Sequence, residues 1–103
     1  MQKIVKDFNE NMPCHKKPMP ASARLLDIQS ELGELAKEYL KASKYGTLDF
    51  AVDEQFMLEY GDVLYSLLSL ANEVGMDASD CLQAALNKYQ KRIDEKKSMG
   101  SGK

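Results

Sequence analysis

Apolar residues recur at the spacing of an α-helix in three long segments of the chain. The first segment begins with Ser22 as its N-cap, runs to about Ser43, and places six apolar residues on one face: Leu25, Ile28, Leu32, Leu35, Ala36 and Tyr39. The second, from about Asp53 to Val74, has a wider apolar arc: Phe56, Tyr60, Val63, Leu64, Leu67, Leu70, Ala71 and Val74. The third, from about Ala78 to Lys96, has a narrow stripe: Leu82, Ala85, Leu86, Tyr89 and Ile93. The pattern predicts an all-α antiparallel bundle with the second segment at its centre.

Residues that end or start helices separate these segments. Tyr45–Thr47 and Gly75 are expected to end the first and second helices, and Asp77 is expected to cap the third. No strand pattern is found in the sequence.

A single domain is predicted over residues 1–97, followed by a flexible tail at 98–103. Its first 21 residues form an N-terminal arm, predicted to be a short helix or docking segment, and a connector in which all three prolines lie. A chain of 103 residues buries only about 60–65% of its unfolded surface. We therefore expect a partner subunit to complete the bundle.

The composition is that of a water-soluble globular protein, with 44% hydrophobic and 29% charged residues. A net charge of −2 gives no general attraction to nucleic acid or acidic membranes, and no apolar run is long enough to span a bilayer. Two cysteines, Cys14 and Cys81, are too few for a disulfide framework or a zinc site. These features predict a cytoplasmic protein that binds neither nucleic acid nor membrane.

Charge is distributed unevenly along the chain. No Lys or Arg occurs between Tyr45 and Asn87, and this stretch contains eight acidic residues: Asp49, Asp53, Glu54, Glu59, Asp62, Glu73, Asp77 and Asp80. Acidic residues on helices are usually balanced by bases three or four positions away. Here the balance must come from another segment, from solvent or from a bound cation.

Two hexapeptides, Glu31–Ala36 and Glu59–Leu64, share the order acid, apolar, glycine, acid, apolar, apolar. A glycine inside a helix costs about 1 kcal/mol relative to alanine. A close approach of the two helices at Gly33 and Gly61 would compensate for this cost and bring the two acid pairs together. The alternative is that the glycines serve tight packing and the acids merely flank it.

Three acids of these hexapeptides, Glu31, Glu59 and Asp62, have no base three or four positions away, whereas Lys37 can reach Glu34. On the second helix, Glu59 and Asp62 lie on a narrow polar strip with Ser66, Ser69 and Glu73. Carboxylates that converge between helices repel one another unless they are protonated or bridged by a cation. Hard oxygen ligands suit Mg²⁺, with Mn²⁺ as a possible substitute. A di-iron bundle would need Glu-x-x-His pairs, and the only histidine, His15, lies in the connector.

At these residues the sequence resembles the MazG-like, all-α nucleoside triphosphate pyrophosphohydrolase family. The family pattern is Glu-x-x-Glu on one helix and Glu-x-x-Asp on the next, matched by Glu31-x-x-Glu34, 24 residues, and Glu59-x-x-Asp62. The resemblance covers about residues 22–95, and Ser30 departs from it where many members have a further Glu.

The resemblance implies a homodimer or homotetramer that cleaves a nucleoside triphosphate between the α- and β-phosphates with Mg²⁺, for nucleotide-pool house-cleaning. It implies that Glu31, Glu34, Glu59 and Asp62 are catalytic and hold the metal, because a divalent cation offsets the charge of both the acids and the phosphates and activates water. Glu31, without a local partner, is the candidate to orient or deprotonate that water.

The remaining phosphates need cations from the protein. Lys88 and Arg92 on the third helix are the first candidates, followed by Lys91 and Lys37; a solvated basic face is the alternative. Four aromatic residues outside the expected core could stack on a nucleobase: Phe8, Tyr45, Phe50 and Tyr65.

Two other functions stay open on the sequence. One is phosphoribosyl-ATP pyrophosphohydrolase, which lies in the same superfamily. The other is a helical interaction module without catalytic turnover.

Overall fold

The computed structural model of the chain describes residues 1–12 and 20–101, with side chains for residues 1–12 and 20–97. These residues form four helices: α1 (Gln2–Glu10), α2 (Ala21–Ala42), α3 (Glu54–Val74) and α4 (Ala78–Ser101). The described ranges contain no strand, so the predicted all-α class is confirmed. The predictions for Pro13, Cys14, His15, Pro18 and residues 102–103 lie outside them.

The helix ends of the central region follow the sequence signals. The Asp53 side chain accepts a hydrogen bond from the Phe56 amide at 2.8 Å, which caps the start of α3. Gly75 ends α3 in the left-handed conformation with φ of 75°, where a residue without Cβ avoids strain. Asp77 then accepts from the Asp80 amide at 3.1 Å at the start of α4.

Two helix ends differ from the prediction. The expectation that Ser22 caps α2 is wrong, because α2 begins at Ala21 with Pro20 at the cap position and no side-chain cap bond. The Pro20 carbonyl accepts from the Arg24 amide at 3.0 Å, so the helix begins two residues before the Ala23 start that a Ser22 cap would give. Helix α4 runs to Ser101, past the end predicted near Lys96.

Helix α3 lies at the centre, with α2 and α1 packed along it. Arg24 contacts Glu73, and Asp27 contacts Ser66, so residue numbers rise along α2 as they fall along α3 and the two helices are antiparallel. The sequence predicted this central position for the second apolar segment.

Helix α1 docks on α3 through polar side chains. Gln2 donates to Asn72 at 2.8 Å and accepts from the Ala78 amide at 2.7 Å, which ties the start of α1 to the α3–α4 corner. At the other end Asn9 donates to Ser69 at 3.1 Å. The N-terminal arm is therefore an ordered helix that runs antiparallel to α3.

Helix α4 stands away from the other three and packs extensively against none of them within the described part of the chain. The molecule is consequently elongated, with extents of 63 × 40 × 22 Å and a radius of gyration of 18.3 Å. A compact domain of this length would have a radius of gyration of about 13 Å. One chain alone is thus not a closed bundle.

Burial in one chain follows the predicted apolar faces only in part. Among the described side chains, the buried residues are two apolar ones and four polar ones: Leu68, Ala71, Arg24, Ser43, Ser66 and Ser69. Many residues of the predicted apolar faces are about half exposed: Leu25, Leu32, Tyr39, Tyr60, Leu67, Val74, Leu82, Leu86, Tyr89 and Ile93. One chain therefore leaves these faces open, and the prediction that a partner subunit completes the bundle stays a prediction. None of the described helices is both long and apolar enough to cross a membrane.

Candidate metal centre

The contact between α2 and α3 is lined by acidic side chains. At about 100° per residue, one stripe of α2 and one stripe of α3 face each other across this contact. Between Arg24 and Glu31 on α2 and between Glu59 and Glu73 on α3, the two stripes carry five carboxylates and one guanidinium: Asp27, Glu31, Glu59, Asp62, Glu73 and Arg24. Glu38 continues the α2 stripe and forms an ion pair with Lys41 at 3.5 Å. The five carboxylates divide into two groups with different partners.

Three carboxylates converge. Glu31 from α2 and Glu59 and Asp62 from α3 each place an oxygen so that the three oxygens lie within 4.8 Å of one another. Glu31 and Glu59 are half-buried, and Asp62 is exposed, so the cluster opens to solvent. Within the described residues no Lys or Arg forms an ion pair with these three. Convergent hard oxygens without a protein cation have the donor chemistry that Mg²⁺ or Mn²⁺ requires.

The other two carboxylates are bound to a buried arginine. The Arg24 guanidinium lies 3.1 Å from Glu73 and 3.7 Å from Asp27, and Ser66 donates a further hydrogen bond to Asp27 at 3.2 Å. The arginine side chain is only 9% exposed and also lies over the Tyr65 ring. The contact of Arg24 with Glu73 has no local sequence signal, because it joins residues 49 positions apart and depends on how α2 and α3 are aligned.

The Glu31 carboxyl has a raised pKa. Its partial burial raises the pKa first, and repulsion from Asp62, Asp27, Glu59 and Glu34 raises it further above the ordinary value of 4.5. A cation bound at the cluster would remove this repulsion.

Replacing Glu31 by Gln should therefore stabilise the metal-free protein near neutral pH. A raised native pKa means that the folded state binds the proton more tightly, so this group favours folding in acid and loses that contribution as pH rises through its native pKa. The expected gain in Tm is about 2–4 °C, since each exposed like-charge pair is worth roughly 0.2–0.5 kcal/mol. Thermal unfolding in a chelator should show the gain at pH 7.5 and its disappearance below pH 4.5. A lower Tm at neutral pH would contradict the repulsion.

The glycines do not bring the helices together within one chain. A Cβ built at Gly33 or at Gly61 would meet nothing within 4 Å, so the predicted close approach at these positions is wrong for the isolated protomer. The reason is geometric, because a residue two positions from Glu31 or Glu59 points about 200° away from it around the helix. The carboxylates face the neighbouring helix, and the glycines face outward.

The other predicted site residues lie away from the three-carboxylate cluster. Glu34 and Lys37 are exposed on α2, and Glu34 is outside the convergent group. The three cations predicted on α4 are exposed and belong to the helix that packs along neither α2 nor α3: Lys88, Lys91 and Arg92. One chain therefore does not assemble the cations beside the carboxylates, and their role in phosphate binding stays a prediction.

The aromatic candidates for a nucleobase do not form one group, although Phe8 and Tyr65 are in edge-to-face contact with ring centroids 6.2 Å apart. Phe50 stacks on Tyr39 with ring centroids 4.3 Å apart, beyond the α2 end of the site. Tyr65 lies beneath Arg24 and donates its hydroxyl to Asn9. The other two, Phe8 and Tyr45, are exposed. Base recognition by any of these rings stays a prediction.

Comparison of the chain with protein-family models, with curated proteins and with solved structures gave no match.

Proposed function

We propose that the protein is a Mg²⁺-dependent nucleoside triphosphate pyrophosphohydrolase that converts a nucleoside triphosphate, ribo- or deoxyribo-, to the monophosphate and pyrophosphate. The observation that carries the proposal is the convergence of Glu31, Glu59 and Asp62 from two helices within 4.8 Å, without an ion pair to any described base. The acidic hexapeptides that resemble the MazG-like family supply these residues. House-cleaning of the nucleotide pool is the proposed role.

The residues fit a hard divalent ion. Glu31, Glu59 and Asp62 would hold it, with Glu34 on the adjacent turn of α2 as a further candidate. When bound, Mg²⁺ would neutralise charge on the phosphates and polarise the phosphorus under attack. Glu31 remains the candidate to orient or deprotonate the attacking water, because it has no basic partner three or four positions away.

Assembly of two or four copies is part of the proposal. Isolated α4 presents a continuous apolar stripe to solvent, with Leu82 at 61% and Leu86 at 49% exposure. The radius of gyration of 18.3 Å, against about 13 Å for a compact domain, indicates that one chain leaves a face without a partner. A second copy that covers α4 would bury this stripe. Such a copy could also bring basic residues of α4 to a carboxylate cluster.

One assay tests the proposed activity against its alternatives. Purified protein is incubated with a panel of ordinary and modified nucleoside triphosphates and with phosphoribosyl-ATP, with Mg²⁺ or with chelator, and pyrophosphate is followed. Mg²⁺-dependent release from nucleoside triphosphates is the expected result. Turnover of phosphoribosyl-ATP alone would identify a phosphoribosyl-ATP pyrophosphohydrolase instead. Absence of release from every substrate would favour an interaction module.

A further inference from the structure

We infer that Arg24 is a positioning residue that holds Asp27 outside the cluster of Glu31, Glu59 and Asp62, so that Asp27 does not become a further ligand of the cation. The inference rests on the proposed metal site, and it assigns to Arg24 and Asp27 the control of how many carboxylates that site presents.

Asp27 is placed to join the cluster. It lies one turn before Glu31 on the same stripe of α2, and side chains four positions apart on a helix are neighbours. Its carboxylate is 41% exposed, so burial does not prevent it from turning.

Two donors hold the Asp27 carboxylate outside the convergent group. Oδ2 of Asp27 accepts from Ser66 at 3.2 Å and lies 3.7 Å from the Arg24 guanidinium. Arg24 is itself fixed by its 3.1 Å contact with Glu73 and by the Tyr65 ring. The guanidinium thus shares its charge between two of the five carboxylates, and the three that remain are the convergent ones.

The number of carboxylates at the site affects the binding of both the cation and the substrate. Each carboxylate added to a divalent site strengthens cation binding but also makes the loaded site more negative, which opposes a polyanionic substrate. By pairing with Asp27, Arg24 keeps the loaded site one unit less negative. A triphosphate can then complete the coordination with its own oxygens, as Mg²⁺ sites for phosphates commonly require.

The test removes Arg24 without changing the net charge near the site, so that a change in cation affinity can be assigned to Asp27. Arg24 and Glu73 are replaced together by Met and Leu, which removes one positive and one negative charge and leaves no buried unpaired ion. This double variant is compared with wild type and with the triple variant that adds Asp27→Asn. Affinity for Mn²⁺ alone is measured on the metal-free full-length protein by titration calorimetry, and circular dichroism checks that helices are retained.

The double variant should bind Mn²⁺ about tenfold more tightly than wild type, because Asp27 is free to join the cluster, and Asp27→Asn should cancel the gain. In the wild-type background, Asp27→Asn should change affinity by less than about threefold, whereas Glu31→Gln should weaken it by at least about tenfold. If Arg24 only stabilised the fold, its removal would not raise Mn²⁺ affinity in a way that depends on Asp27.

Equal affinities of the double variant and wild type would overturn the inference. The inference would also fail if Asp27→Asn in the wild-type background lowered Mn²⁺ affinity as much as Glu31→Gln. This comparison of single variants decides the question if the double variant does not fold. Wild-type protein that binds no Mn²⁺ would reject the proposed metal site and the inference together. If wild-type protein binds Mn²⁺ but either of the first two results is found, the inference is rejected and the proposed metal site is kept.

Discussion

Asp62→Asn is expected to lower kcat/KM for pyrophosphate release by at least about 100–1,000-fold, because removal of one charged group at a preorganised electrostatic site has effects of this size. Glu59→Gln should behave similarly, since both side chains belong to the convergent cluster. The measurement is steady-state pyrophosphate release at saturating Mg²⁺, with the best substrate from the nucleotide panel.

The same variants should keep or raise the Tm of the protein in chelator. Each replaces a carboxylate that repels its neighbours by a neutral group of the same shape, so loss of activity is not loss of fold. Asp49→Asn is the matched control, because Asp49 is an exposed acid outside the cluster and its replacement should change neither property. Unchanged turnover in both Asp62→Asn and Glu59→Gln would reject the site assignment.

Leu86→Asp is expected to dissociate the proposed assembly. Leu86 lies in the middle of the α4 stripe and is 49% exposed in one chain. A charge at the centre of an apolar contact must be desolvated, and disruption of a central contact costs about 2 kcal/mol or more, which raises the Kd of association by at least about 30-fold. Size-exclusion chromatography with light scattering over a range of protein concentrations measures the change in mass.

Asn87→Asp adds the same charge at the neighbouring exposed polar position and is the control, with no expected effect on mass. A wild-type protein that elutes as a monomer at every concentration would refute the assembly. An assembled Leu86→Asp variant would show that association uses another face.

The helices could be predicted from sequence because their signals are local. Apolar spacing identified the three long segments, and Asp53, Gly75 and Asp77 marked ends that depend on hydrogen bonds within a few residues. Ser22 failed because Pro20 provides a competing start that needs no side-chain bond.

What covers each face could not be predicted. Periodicity gives the direction of a side chain but not the identity of the surface opposite it, so the stripe of α4 was expected in a core that one chain does not form. The acid pairs of α2 and α3 were expected to meet through Gly33 and Gly61. The structure does bring three of these acids together, but the glycines face open space. The pairing of Arg24 with Glu73, 49 positions apart, depends on helix alignment and has no local signal.

The polar interior of the protomer has a calorimetric consequence. The heat-capacity increment of unfolding scales with the apolar surface that unfolding exposes, and polar surface lowers it. Ser69 is the most buried of the described side chains, and the leucines are largely exposed, so a single chain would unfold with an unusually small increment. If copies associate through these apolar faces, most of the heat-capacity increment arises when the copies separate and expose them. The melting temperature must then depend on protein concentration.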